Sequence, residues 1–147
     1  MKKTLLYISL LTVVLAMDSC TRNHGDIGIW FGTWHVESIT AQGDIYQYIV
    51  PVEVEGDYFF QFQNKVFRVS LVTERAQLVE SFGTWDESED GNIITISFPD
   101  STAYYISMPG LERNNVFTIT SRSSREVTLT KTDVTGTTFA YHLKKQP

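Results

Sequence analysis

The chain has 147 residues, 42% of them hydrophobic, enough for one domain with a buried core. A net charge of −5 excludes the basic footprint of a nucleic-acid-binding surface, and a single cysteine excludes an intramolecular disulfide. Nine Phe, seven Tyr and three Trp against four Pro and nine Gly exclude low-complexity chain.

The N-terminus reads as targeting rather than fold. Met1-Lys2-Lys3-Thr4 is positively charged, and Leu5 to Ala16 is an uncharged, mostly apolar run. That is the size of a signal peptide and too short to cross a bilayer as a helix. Met17-Asp18-Ser19-Cys20 follows and resembles the lipobox of bacterial lipoproteins. Ser19 matches the small residue before the cut and Met17 the apolar position, while Asp18 departs from the usual small or β-branched residue. The resemblance implies removal of residues 1–19, lipidation of Cys20, and a membrane partner reached through the N-terminal lipid. A lone exposed thiol is a liability in an oxidising compartment, which agrees with its use for acylation. More than one acyl chain gives stable anchoring. Thr21, Arg22, Asn23 and His24 follow the cysteine in place of the acidic run that marks surface display in related lipoproteins. The expectation is an outer-membrane protein on the periplasmic face. Thr21 to Gly28 is polar, holds two glycines and has no hydrophobic period, so residues 20–28 read as lipidated cysteine and tether.

Residues 29–147 read as strands. Phe31-Gly32-Thr33-Trp34 opens the first, running to Thr40, and recurs as Phe82-Gly83-Thr84-Trp85. Residues 45–50 (IYQYIV) fit a strand or a crossover. Val52 and Val54 alternate with Glu53 and Glu55; Tyr58, Phe60 and Phe62 share one face; Phe67, Val69 and Leu71 share another. Gln77 to Asp86 carries the second tetrapeptide, and Asp90-Gly91-Asn92 signals a reversal. Ile94, Ile96 and Phe98 alternate, then Tyr104, Ile106 and Met108, then Phe117 and Ile119, then Val127 and Leu129, then Phe139, Tyr141 and Leu143. A helical period is absent after residue 20, apart from one turn near Glu74–Leu78. Eight to ten short strands with hairpin-length connections predict an all-β, antiparallel up-and-down meander that closes into a barrel, because closure removes exposed edges.

The paired Gly-Thr-Trp motifs at Gly32–Trp34 and Gly83–Trp85, with the lipobox and the meander, are similar to the lipocalin-like lipoproteins of gut anaerobes. The similarity covers residues 29–145. It implies a lipocalin-like barrel with Trp34 at its closed end under a basic residue of the last strand, Lys144 or Lys145. It also implies binding of a small apolar molecule. Gly32, Trp34, Gly83 and Trp85 are the expected barrel-closing residues.

Catalytic chemistry has no carrier in the sequence. G-x-S-x-G, H-E-x-x-H and phosphate-loop motifs are absent, and no cofactor or metal is implied. His24 lies in the tether, and His35 and His142 fall on strand faces opposite Trp34 and Tyr141. Glu53 and Glu55 read as a solvated strand face, the run Asp86–Asn92 as a hairpin tip, Arg68 as outward-facing, and Arg113, Arg122 and Arg125 as a loose basic cluster in solvent. The alternation points Phe60, Phe62, Tyr104, Phe117, Phe139 and Tyr141 inward. Such a wall either lines an apolar pocket oriented by phenol hydroxyls or packs as a solid core. Two non-enzymatic functions follow: a lipid-anchored protein that binds a small apolar or amphipathic ligand, or an interaction module for an envelope protein partner.

Overall fold

The computed structural model describes residues 25–43, 48–99 and 107–147. Cys20, the expected signal segment, His24 and Tyr104 lie outside the described residues, as does most of the strand expected around Tyr104 and Ile106. Among the described residues nine strands follow a short 3₁₀ segment, Gly25–Trp30. They are β1 (Gly32–Gln42), β2 (Val50–Pro51), β3 (Asp57–Gln63), β4 (Val66–Val72), β5 (Leu78–Glu87), β6 (Ile93–Ser97), β7 (Asn114–Arg122), β8 (Glu126–Thr132) and β9 (Thr138–Lys145). Every strand pairing is antiparallel, and each strand from β3 to β9 pairs with the next.

Closure comes from β1. One edge pairs with β9 from Trp34↔Lys145 to Gln42↔Thr138. The other pairs first with β3, from Gly32↔Phe62 to His35↔Phe59, and then with β2 at Thr40↔Pro51 and Ala41↔Val50. The result is a closed eight-stranded barrel with β2 as a short addition. A register shift between Val36 and Ser38 admits Glu37 as an extra residue. It switches the inward parity from Trp34 and Val36 to Ile39 and Ala41, so an eleven-residue strand keeps an apolar lining while it bends.

Four sequence expectations need correction. Val52 to Glu55 alternates but is not a strand; past Val52 its backbone leaves the sheet, and Gly56 turns it at φ +89. Met108 sits in a connection, not on a strand. Residues Glu74–Leu78 make no helical turn. Thr73 and Gln77 close a tight reversal in which Ala76 takes φ +56, and Leu78 already begins β5. Residues 25–28, read as tether, form the start of the 3₁₀ segment, kinked at Gly28.

The two ends of the barrel differ. The turns at Asn64-Lys65, Ser88–Asn92 and Ser123–Arg125 lie at one end with the 3₁₀ segment. The chain leaves β1, β4, β6 and β8 at the other end, after Gln42, Val72, Ser97 and Thr132. At the short-turn end Trp30 and Trp34 are fully buried with ring centroids 5.9 Å apart, and Phe62 stands 5.2 Å from Trp30 and 5.0 Å from Trp85. This aromatic cluster closes that end.

Candidate functional site

The open end carries the candidate site, and the β6–β7 connection dominates it. Residues 107–112 form a strap that turns back into the barrel mouth, where Met108 and Leu111 are buried. Met108-Pro109-Gly110-Leu111 is a reverse turn closed by the Leu111 N–H donating to the Met108 carbonyl at 3.0 Å. Pro in its second position and Gly at φ +73 in its third suit a type II turn. Gly110 is also required by proximity, because a Cβ there would run into the Phe139 ring and the Tyr141 hydroxyl.

The strap is fastened on both walls. Tyr58 of β3 donates its hydroxyl to the Ser107 carbonyl at 2.9 Å, and Tyr141 of β9 donates to the Pro109 carbonyl at 2.6 Å. Lys131 of β8 donates to the Gly110 carbonyl at 2.8 Å and meets the Glu112 carboxylate at 2.7 Å. The C-terminal end is pinned by Asn115, fully buried, which accepts from the Glu112 N–H at 2.8 Å and donates to the Glu112 carbonyl at 2.6 Å. Burial raises the pKa of the Tyr141 phenol well above its ordinary value, with the charges of Asp133 and Glu112 adding to it. Burial, then Glu55, raises that of Tyr58. Both hydroxyls therefore stay protonated, as donors, over the whole neutral range.

Beside the strap on the β3–β4 side lies an open cleft of about 650 Å³. Glu53, Glu55, Glu74 and Arg75 line its rim, and Tyr58, Leu71 and Pro109 its floor. Glu53 and Glu55 thus reach one cleft from a loop instead of sharing a strand face.

The aromatic residues singled out from sequence do not form one wall. Phe60, Phe62, Phe117 and Tyr141 all point inward and are fully buried. Phe62 belongs to the closed end, against Trp30, Trp85 and Phe67. Phe60, Phe117 and Tyr141 pack in the middle, with Phe117 edge-on to Tyr141 at 5.5 Å. Phe139 is partly buried at the mouth, 6.5 Å from Tyr141. Tyr141 and Phe139 meet the strap.

The paired tetrapeptides converge at the closed end. Trp34 and Trp85 both approach the Trp30–Phe62 pair, and the Trp34 indole N–H donates to the Trp30 carbonyl at 3.1 Å. Lys145, not Lys144, supplies the cation: its Nζ stands 5.3 Å from the Trp34 ring and donates to the Ile29 carbonyl at 2.8 Å. Lys144 pairs outward with Glu37. Gly32 takes φ +112 under the Lys145 stem, and Gly83 leaves no room for a Cβ against the Ser97 carbonyl.

The remaining candidates are engaged elsewhere. His35 lies against Asp57 at 3.3 Å and the Phe59 ring; His142 bonds Thr128 at 3.2 Å. Arg68 faces outward and pairs with Glu80 at 2.8 Å. The expected arginine cluster does not exist, because Arg113 and Arg122 flank opposite ends of β7, roughly 30 Å apart at 3.3 Å per residue. Arg122 is held by Glu87 and the Gly91 carbonyl, and Arg113 by the Phe98 carbonyl. In the acidic hairpin, bonds from Ser88 and Asn92 hold the Asp90 carboxyl below its usual range. Among the described residues no three His, Cys, Asp or Glu side chains converge as a metal site.

Sequence reasoning missed Trp30, Lys131 and the strap. Lys131 was within reach: it continues the inward parity of Val127 and Leu129. The strap was not, since Met108-Pro109-Gly110 reads equally as a strand end and turn.

No protein-family model matches this chain, and no curated protein matches it. Its fold matches solved structures. A lipocalin-like protein from Bacteroides uniformis ATCC 8492 aligns over 81% of this chain and 100% of its own, at 21% identity and a TM-score of 0.57. An uncharacterized protein from Bacteroides eggerthii DSM 20697 aligns over 80% of this chain and 99% of its own, at 16% identity and a TM-score of 0.58. The barrel is lipocalin-like.

Proposed function

We propose that this chain is a lipid-anchored envelope lipoprotein that binds a small apolar or amphipathic molecule in the open end of its barrel and performs no catalysis. One observation carries the reading. In the mouth, Met108 and Leu111 of a connection are buried beside strand side chains such as Ile39, Tyr58 and Tyr141, whereas the closed end is filled largely by strand side chains and Trp30. A plug made of a loop can withdraw without unpairing a strand, and its departure leaves an apolar space with a few polar groups at the rim, the usual make-up of a small-molecule site. The open cleft beside Tyr58 gives a ligand an approach to the strap.

The barrel test is native mass spectrometry of protein extracted gently from its own membranes. A retained small-molecule mass supports the reading; repeated ligand-free spectra, with no uptake of an added apolar probe, sink it. The anchor has its own test. Cys20→Ala is expected to abolish incorporation of labelled palmitate and to leave the precursor uncut; labelling that persists would refute lipidation at that residue. Fractionation with the outer membrane, and protection of the domain from protease added to intact cells, are the outcomes expected for a periplasmic-face location.

A further inference from the structure

Strands β3, β8 and β9 meet the strap with donors, while Asn115 of β7 both accepts from it and donates to it. Tyr58, Tyr141 and Lys131 donate; the carbonyls of Ser107, Pro109 and Gly110 and the carboxylate of Glu112 accept. Lys131 is the demanding member. Its side chain is 4% exposed, on the inward face of β8 at the register position of Phe139. Lysine is almost never buried so deeply without a partner, and here two of the three ammonium donors are spent on strap atoms. Withdrawal of the strap leaves that cation without its carboxylate in a largely apolar mouth, and an incoming anion restores the pairing. The same withdrawal empties the positions of Met108 and Leu111.

From this we infer that the strap stands in for the ligand, and that the ligand is an amphipathic carboxylic acid. Its carboxylate replaces Glu112 at Lys131, the Tyr141 hydroxyl serves as a second donor, and its apolar chain takes the space of Met108 and Leu111. The inference rests on the binding reading above and adds the head-group chemistry to it.

The test is calorimetric titration of the full chain with decanoate and with decan-1-ol, which share a tail and differ in the head. Decanoate is expected to bind at least about tenfold tighter. Lys131→Met should abolish that preference while decan-1-ol still binds. Glu112→Gln should tighten decanoate several-fold, because an uncharged strap competes less well for the ammonium. Equal affinities for acid and alcohol, or a preference that survives Lys131→Met, would overturn the acid head and leave the binding barrel standing. Should Lys131→Met not fold, Glu112→Gln decides alone, and decanoate affinity unchanged by it overturns the inference. Binding of neither compound to the wild type or to Glu112→Gln would overturn both the inference and the barrel reading beneath it.

Discussion

The barrel is stopped at both ends, by different physics. At the closed end the plug is aromatic: Trp30 lies over Trp34 and Phe62, with Trp85 beyond and the Lys145 ammonium above the Trp34 ring. Its energy is mostly buried area, and any opening exposes large rings to water at once. At the open end the plug is a short loop with two apolar side chains, held by single hydrogen bonds and one ion pair. Each neutral hydrogen bond among them is worth little net, because water replaces it, and the Lys131–Glu112 pair can be exchanged for a pair with another anion. The first end is built to stay shut. The second is built so that a competing set of contacts can displace it.

Substitutions at the two ends should therefore differ in kind. Trp34→Ala removes the centre of the closed plug and is expected to cost about 3–5 kcal/mol of global stability. Denaturant unfolding measures it; a loss under 1 kcal/mol would mean that the end is not a core. Gly110→Ala forces a side chain into φ +73 against Phe139 and Tyr141, a cost of about 1–3 kcal/mol. Here the loss should fall on the strap. Hydrogen exchange of the Leu111 amide, bonded to the Met108 carbonyl, should accelerate far more than that of the β3–β4 ladder. Uniform acceleration would erase the distinction between the ends.

The open end also sets an alkaline limit. Tyr141 and Tyr58 have raised pKa values in the fold, so the unfolded chain releases their protons first. Their contribution is complete below about pH 10, the ordinary phenol value, and is lost as pH climbs from there toward the folded-state values. Tyr141→Phe should flatten that fall and cost about 1 kcal/mol at neutral pH through the lost bond to Pro109. An unchanged alkaline limb would mean that Tyr141 is not its source. The smallest effect belongs to Lys145→Met. It gives up an interaction with the Trp34 ring worth about 0.5–1 kcal/mol, and its bond to Ile29, without touching the strap. Melting temperature should drop by a few degrees while Leu111 exchange, measured relative to global unfolding, stays put.

Most of the barrel was legible in the sequence, since period-two alternation dictates which side chains share a face and tight turns dictate which strands meet. Tyr58, Phe60 and Phe62, or Val127 and Leu129, could hardly point anywhere but inward. The shared Gly-Thr-Trp motif marked two strands whose Trp side chains meet one cluster, although nothing local says that the strands do so through Trp30 and Phe62. Local pattern failed wherever a residue's role depends on a distant wall. Glu53 and Glu55 alternate like a strand but hang over a cleft, and Arg113 and Arg122 are near in sequence yet lie at opposite ends of β7.

The sequence by itself thus determined most strand faces, the turns and the place of the lone cysteine after an apolar run, because these follow from neighbours along the chain. Only the tertiary structure decided what stops each end of the barrel. Trp30 and the strap at 107–112 have no periodicity to announce them. Their places come from closure, which brings β1 onto β9 and sets Lys131, Tyr141 and Tyr58 around one opening for Glu112 and its neighbours to fill.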